Sequence, residues 1–396
     1  MKYNSEKKQK ILFIVSQPFI ERRGSPLRAW HDVRTLGELG YEVHLLTLPL
    51  GKCDPLPDVQ IIRVPNLFAA RRIGIGPSVL KLAFDFLLLV KGLVLSLRHN
   101  YIVIHCIEDA AIPGFVIACI TRVKLLYEKH SDPHSYYGGF WRNLVMHLYE
   151  AVERVIIRKA SCIICTNTGL LEQVKLIAPN KPAYHIFDLP SSMVDRDPDK
   201  AKEIRGRICP DNTKVLITYA GSFASYQGID LIFDAIPLVI KSKPQAMFVI
   251  IGGSPQQIEE RKQQLAKQQL ANSTIFLGIV PPSELIHYLS ASDILLCPRL
   301  RRVNAPLKVF DYLKAGRAIV ATDVPANRSL LNEKTSILVK PDVLSFAEAI
   351  CYLIENQNVR EQLGKNSRLL LEREYNIEKF KSLLNICYQT SILAGK

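Results

Sequence analysis

The chain has 396 residues, too many for one ordinary hydrophobic core and enough for two domains. Hydrophobic residues make up 48% and charged ones 22%, which excludes the disordered and fibrous classes. Lys and Arg total 51 against 37 Asp and Glu, and the resulting +14 favours anionic partners: nucleic acid, an anionic membrane face or a phosphorylated small substrate.

The opening MKYNSEKKQKILFIVS carries one short apolar run before Gln17 and Pro18 and no small-residue cleavage site, so it is expected to be a first strand in a protein that is not exported. In RGSPLRAW, Gly24 and Ser25 precede Pro26, a good early helical residue, and the N–H groups of that helix start suit a phosphate. An ordinary glycine turn fits the same residues. The strands YEVHLLTL and VQIIRV follow. Val79 to Leu97 is nearly continuously apolar, but Lys81, Asp85 and Lys91 break it and oppose a spanning helix. A helix buried between the sheet and its neighbours is expected there, with a place in the membrane interface as the alternative.

YIVIHCIEDAAIPG sets His105, Glu108 and Asp109 on and just after a strand. Such carboxylates can bind acceptor hydroxyls, take a proton from an attacking one, or cap the next helix; capping is the expected job of Asp109. VKLLYEKHSDPHSYYGG puts His130, and further on His134, past another strand end. SCIICT holds Cys162 and Cys165 in C-x-x-C spacing, yet on a strand residues three apart face opposite ways, so two buried thiols are expected rather than a metal site or a disulfide. Nine scattered cysteines fit a reducing compartment.

Strands alternating with helices up to about residue 187 indicate a parallel sheet with helices on both faces. DLPSSMVDRDPDKAKEIRGRICPDNTK interrupts the pattern and is taken as a linker. The alternation then resumes with KVLITYAG, QAMFVIIGG, TIFLG, DILLCP and RAIVAT. The expected division is an N-terminal Rossmann-like domain over 1–190, a linker over 191–212, a C-terminal Rossmann-like domain over 213–375 and a C-terminal helix over 376–396. Two doubly wound halves direct ligands to the carboxyl ends of their strands.

In the second half those ends are rich in small residues: Gly221 and Gly228, Gly252 and Gly253, and Gly278. Such backbone suits close approach of a nucleotide. Further on, VNAPLKVFDYLKAGRAIVATD reads as a helix opened by Pro306 and closed by Gly316, followed by a strand, beside the basic cluster Arg299, Arg301 and Arg302. Lys308 in the first turn can join the helix N-terminus in neutralising a phosphate, and Asp311 one turn on can accept from a ribose diol. An exposed i,i+3 ion pair between the two is the bland alternative. P-loop, G-x-G-x-x-G, H-E-x-x-H and G-x-S-x-G patterns are all missing, which argues against kinase-type, dehydrogenase, metalloprotease and hydrolase chemistry.

Taken in order, YAGSFASYQGIDLIFDAI, FVIIGG, FLGIVPPSELIHYLSASDILLCPR and APLKVFDYLKAGRAIVATD resemble the donor-binding half of family 4 glycosyltransferases of the GT-B fold. RGSPLRAW with LGELGYEVHLLT is similar to that family's opening glycine loop and next strand. The resemblance covers nearly the whole chain. It implies two Rossmann-like doubly wound domains facing a cleft, with C-terminal helices packing back toward the first domain. It further implies a nucleotide-diphosphate sugar as donor, a glycan or lipid-linked acceptor, retention of anomeric configuration, and no metal or other cofactor.

Carried over residue by residue, Asp311 matches the ribose-binding second glutamate of the family's E-x7-E signature. The first glutamate falls at Val303, with Asn304 as a neighbouring replacement. Ser222 and Gln227 stand where the family commonly has an arginine and a lysine on the diphosphate, so Lys308, Arg299 and, from the first domain, Arg28 are expected to compensate. Gly24, Ser25, Gly221, Gly252, Gly278 and Leu307 complete the expected donor set. His130 matches the family's histidine near the donor sugar and, with Glu108, is assigned to catalysis; Arg28, His105, Asp109 and His134 are assigned to the acceptor.

The implied activity is glycosyl transfer in cell-surface polysaccharide or lipopolysaccharide synthesis, in the cytoplasm or at the inner face of its membrane. Lys81, Lys91, Arg71, Arg72, Trp141 and Arg142 would suit anionic headgroups, and a solvated basic surface fits them equally. The altered Ser222, Gln227 and Val303 keep open a catalytically impaired protein that binds a nucleotide or glycan. Nucleic-acid binding rests on charge alone, without a recognised module, and is not expected.

Overall fold

The aliphatic run KILFIV becomes β1 (Lys10–Val15), buried on both faces after its first residue, as parallel strands covered by helices must be. The computed structural model describes residues 8–19, 24–51, 55–71, 73, 78–300 and 306–394. The chain forms two units, residues 1–188 with 377–396, and residues 189–376.

In the first unit β1 is followed by α1 (Gly24–Glu38), β2 (Glu42–Thr47), β3 (Val59–Arg63), α2 (Val79–Arg98), β4 (Tyr101–Ile107), α3 (Ala111–Thr121), β5 (Lys124–Lys129), α4 (Phe140–Lys159), β6 (Cys162–Cys165), α5 (Thr168–Ile177) and β7 (Ala183–His185). All strands run parallel in the order β3-β2-β1-β4-β5-β6-β7. The order reverses at β1, which pairs with both β2 and β4, and the carboxyl ends beside such a switch point are where doubly wound sheets bind ligands.

Side chains alternate between the two faces of this sheet. Leu12, Ile14, Ile104, Cys106, Tyr127 and Cys165 pack with α2, α3, α4 and α5 in one core. Cys162, three residues from Cys165, instead meets Cys387 on the other side; both C-x-x-C thiols are free and buried. The helix α2 departs from expectation. Only one stripe, Lys81, Phe84, Leu88, Gly92 and Leu95, is buried, while Val79, Leu82, Phe86, Val90 and Leu97 are exposed, because α3 covers one flank and no described element covers the outer side.

The second unit runs α6 (Pro198–Ile208), β8 (Val215–Ala220), α7 (Ile229–Ser242), β9 (Ala246–Ile251), α8 (Pro255–Lys267), β10 (Thr274–Gly278), α9 (Pro282–Ala291), β11 (Ile294–Cys297), α10 (Lys308–Ala315), β12 (Ala318–Thr322), α11 (Pro325–Arg328), β13 (Ser336–Val339), α12 (Val343–Glu355) and α13 (Gln357–Glu374). Its parallel sheet has the order β10-β9-β8-β11-β12-β13. The final helix α14 (Ile377–Leu393) belongs to the first unit, where Phe380, Leu384 and Tyr388 are buried.

The stretch expected as a linker over 191–212 contains α6, and all of it belongs to the second unit. Asp197 caps α6 by accepting from the N–H groups of Asp199 and Lys200, and only Ala201 and Ile204 are buried along it. So narrow a buried stripe in a charged helix leaves almost no apolar periodicity to read.

Candidate functional site

In the second unit the ends of β8, β11 and β12 are tied together by side chains. The Tyr312 hydroxyl accepts from the Ala220 N–H at 2.9 Å and donates to the Leu296 carbonyl at 3.1 Å. Asn327 donates to the Thr322 carbonyl at 2.8 Å and to the Cys297 carbonyl at 3.3 Å, and the Thr322 hydroxyl donates to the Arg299 carbonyl. The loops that follow these strands therefore start from fixed points. Gly228, in the left-handed region at φ 73°, could hold no side chain, since a Cβ there would lie 1.8 Å from the Pro298 carbonyl oxygen.

This frame brings Gly221, Arg299 and Lys308 together. Lys308 is the first residue of α10, and its Nζ sits 4.0 Å from the centre of the Tyr219 ring. A Cβ on Gly221 would come within 2.6 Å of that Nζ, so the glycine and the lysine end lie against each other. The Nζ is shielded from solvent and has no hydrogen-bond partner among the described residues. Burial pushes its pKa down to about 8, and the Arg299 charge acts in the same direction. Arg299 is itself 5% exposed, with its guanidinium over the Tyr226 ring. Two shielded cations beside a glycine turn at strand ends have the charge and backbone that suit an anion.

The other donor candidates are less uniform. Ser222 is exposed and its carbonyl accepts from the Tyr219 hydroxyl, while Gln227 ends a single tight turn with its side-chain oxygen unbonded. Gly252 donates its N–H to the Gly278 carbonyl, so these two hold β9 and β10 together at their ends. Leu307 precedes α10 without capping it through a side chain. Asn304 lies outside the described residues, as do Val303, Arg301 and Arg302.

Asp311 forms no ion pair with Lys308. It is 5% exposed, accepts from the Ser191 N–H at 2.7 Å, and burial raises its pKa to about 6. One carboxylate oxygen thus anchors the segment leading into α6.

In the first unit His130 follows β5, and Glu108 follows β4 at a positive φ of 52°. The His130 Nε2 donates to Glu128 Oε1 at 2.8 Å, its Nδ1 meets the Ser25 hydroxyl at 3.1 Å, and its backbone N–H donates to Glu108 Oε1 at 3.0 Å. Ser25, Glu108 and His130 are thereby gathered at the switch point, with the exposed Gly24 beginning α1 beside them. Burial opposes a charge on His130, yet Glu128 and Glu108 together raise its pKa above the ordinary histidine value. The imidazole can hold a proton near neutral pH and present it at Nδ1.

Beneath His130 lies a buried ionic network. Glu128 also accepts from His105 Nε2 at 3.0 Å and stands 2.9 Å from Arg28 Nε. Arg28 donates to Asp32 at 3.2 Å and to the carbonyls of Ile186 and Phe187 at 3.1 and 2.6 Å. Burial alone would raise the Glu128 pKa, but Arg28 and the two histidines hold it well below the carboxylate range.

Four expectations change with this network and its surroundings. Arg28 is 2% exposed and committed to carboxylates and carbonyls, so it presents no surface to a phosphate or an acceptor. His105 is fully buried with both ring nitrogens occupied, by Glu128 and by the Tyr388 hydroxyl at 2.7 Å. Asp109 caps no helix, because the buried Lys81 draws its carboxylate into an ion pair. His134 is largely exposed beside Glu150, and its side chain makes no described contact with His130.

Glu128, Asp32 and Tyr219 escaped the sequence reading. Glu128 left one signal: a carboxylate inside the apolar strand LLYEK must be buried and therefore paired.

Residues 23–183 match the family model described as a glycosyl transferase 4-like domain, and residues 214–356 match that of the glycosyl transferases group 1. The chain belongs to the family 4 glycosyltransferases of the GT-B fold. This glycosyltransferase is 21% identical over 317 residues to the alpha-monoglucosyldiacylglycerol synthase of Streptococcus pneumoniae, covering 76% of this chain and 68% of that one. It shares its fold with a sucrose-phosphate synthase from Thermosynechococcus elongatus, at a TM-score of 0.79, 18% identity and coverage of 96% of this chain and 98% of that one. Anabaena HepE in complex with UDP and glucose gives a TM-score of 0.73 at 15% identity, with 96% and 100% covered.

Proposed function

We propose that this glycosyltransferase moves a sugar from a nucleotide-diphosphate donor to a glycan or lipid-linked acceptor, with retention of configuration. The observation that carries this reading is the shielded Lys308 ammonium beside Gly221 and Arg299, without a hydrogen-bond partner among the described residues. Charge at such a position is stabilised by a ligand that brings anionic oxygens, and a leaving diphosphate brings several. Lys308 and Arg299 neutralise the diphosphate as it leaves, with no metal required. Asp311 accepts from the ribose diol. His130, held by Glu128, hydrogen-bonds the donor sugar and positions it as charge develops at the anomeric carbon.

HepE, a fold neighbour, was solved with UDP and glucose, and the S. pneumoniae relative is named as a synthase of a glucosyl lipid. These support a UDP-hexose donor and a cell-envelope glycan or glycolipid acceptor. The test is a thermal-shift series with UDP, GDP, ADP, CMP and dTDP, followed by hydrolysis of the matching nucleotide sugar without acceptor. One nucleotide should raise Tm, and Lys308→Ala should abolish the shift. If no nucleotide shifts the protein, the reading in which Ser222 and Gln227 mark a lost diphosphate grip replaces it.

A further inference from the structure

The helices α2, α3 and α4 lie side by side on one face of the first unit's sheet. Each exposes large apolar side chains at every fourth residue. On α2 the stripe runs through Leu82, Phe86 and Val90, on α3 through Ile112, Val116 and Ile120, and on α4 through Phe140, Leu144 and Leu148. Phe86 is 63% exposed and Leu148 68%, so these side chains do not merely edge a core. Three adjacent stripes make an apolar surface of a kind that soluble monomers rarely leave uncovered.

The exposed charges described on the same helices have one sign. Lys91, Arg98, Arg142, Arg154, Arg158 and Lys159 are exposed, whereas Asp85, Glu150 and Glu153 are partly or wholly buried; no carboxylate is exposed among the described residues of α2, α3 and α4. At the carboxyl ends of α3 and α4 a cavity of about 460 Å3 is lined by Arg122, Lys124, Lys159 and Lys181, with no carboxylate among the described residues that line it. Of the residues singled out earlier for headgroups, Lys81 is buried, and Arg72 and the Trp141 side chain lie outside the described residues.

We propose that this three-helix face docks on an anionic lipid bilayer, its apolar stripes entering the interface and its arginines and lysines meeting lipid phosphates. A second copy of the chain would set like charges against one another in a self-complementary contact. An anionic bilayer supplies both the apolar layer and the countercharge. No described helix is long and apolar enough to cross a membrane, so α2, α3 and α4 lie on the bilayer rather than span it. The inference stands apart from the donor reading, since lipid binding requires no nucleotide.

The test is flotation of the full chain with vesicles of phosphatidylcholine alone and of phosphatidylcholine mixed with phosphatidylglycerol, with light scattering in parallel. The wild type should float with the mixed vesicles and largely stay behind with phosphatidylcholine. Phe86→Ser combined with Leu148→Ser, and separately Arg154→Gln combined with Lys159→Gln, should each weaken binding about tenfold or more while leaving Tm unchanged. The idea is overturned if the wild type ignores anionic vesicles or if both double variants float like wild type. A stable dimer that the Phe86/Leu148 variant splits would overturn it in favour of self-association.

Discussion

Glu128 holds His130 through a 2.8 Å hydrogen bond from Nε2, and its second oxygen takes His105 at 3.0 Å. Because a carboxylate only accepts, Nε2 of His130 carries a proton, and Nδ1 is the atom left to face Ser25.

Glu128→Gln should therefore act on His130 without touching a substrate. With the charge gone, the His130 pKa falls and any limb of the kcat profile that depends on its proton moves to lower pH. His130→Ala should lower kcat by about a hundredfold or more. The Gln variant should also lose about 3–5 kcal/mol at neutral pH, because Arg28 keeps its burial and loses a partner. The Glu128 pKa is depressed in the fold, so its contribution is present above the unfolded carboxylate value and fades as pH falls through the folded one. Denaturant melts should show the two proteins converging in acid; a constant gap would mean the charge is not what Glu128 contributes.

Lys308 offers a sharper pH signature. Its ammonium has a pKa pushed down to about 8 in the free protein, chiefly by burial. A bound diphosphate favours the charged form and raises that value. Nucleotide affinity should then be level below about pH 8 and fall by up to about tenfold per pH unit above it. Lys308→Ala should cost about 1.5–3 kcal/mol of binding and flatten this dependence. Titration calorimetry from pH 6.5 to about 9.5 reads both, and a dependence that survives in the Ala variant would place the titrating group elsewhere.

Asp311 predicts a trade between stability and binding. Burial raises its pKa from 3.8 to about 6, so the fold favours its neutral form. A raised pKa contributes stability below the unfolded value, and that contribution is lost as pH rises through the folded one. At pH 8 the buried carboxylate is thus a cost. Asp311→Asn keeps an oxygen for the Ser191 N–H and should stabilise the protein by about 1–3 kcal/mol at pH 8. The gain should appear between about pH 4 and 6 and stay level above. If Asp311 also holds the ribose, the same variant should bind nucleotide several-fold more weakly. A more stable variant with unchanged affinity would leave Asp311 as an anchor for Ser191 alone.

These residues show where sequence is legible and where it stops. The alternation of KILFIV-like runs with helical periods is local, so the two sheets could be read. Lys308 could be singled out because Pro306 and Gly316 bracket a helix around it. Its shielding could not, since Tyr219 and Gly221 come from a strand end far away in the chain. The same holds for Arg28 and Glu128, which are 100 residues apart and meet only when helix α1 and strand β5 come together in the folded first unit. α6 was hidden by its charge. The apolar residues of α2 were plain, but a sequence does not say whether a neighbour covers them.

Tyr312 tests whether the strand-end clamp matters to the loops it supports. Its buried hydroxyl joins the last N–H of β8 to a carbonyl of β11, the two strands whose following loops carry Gly221 and Arg299. Tyr312→Phe removes both bonds and leaves a buried N–H unpaired, for a cost of about 1–3 kcal/mol. Tyr388→Phe is a fitting control, because that hydroxyl is bonded to His105 in the first unit. The two variants should lose similar stability in denaturant melts, yet only Tyr312→Phe should weaken nucleotide binding, by several-fold. Equal affinity in both would mean that Lys308 and Arg299 are held by their own packing, and that the hydroxyl clamp serves the sheet without serving the site.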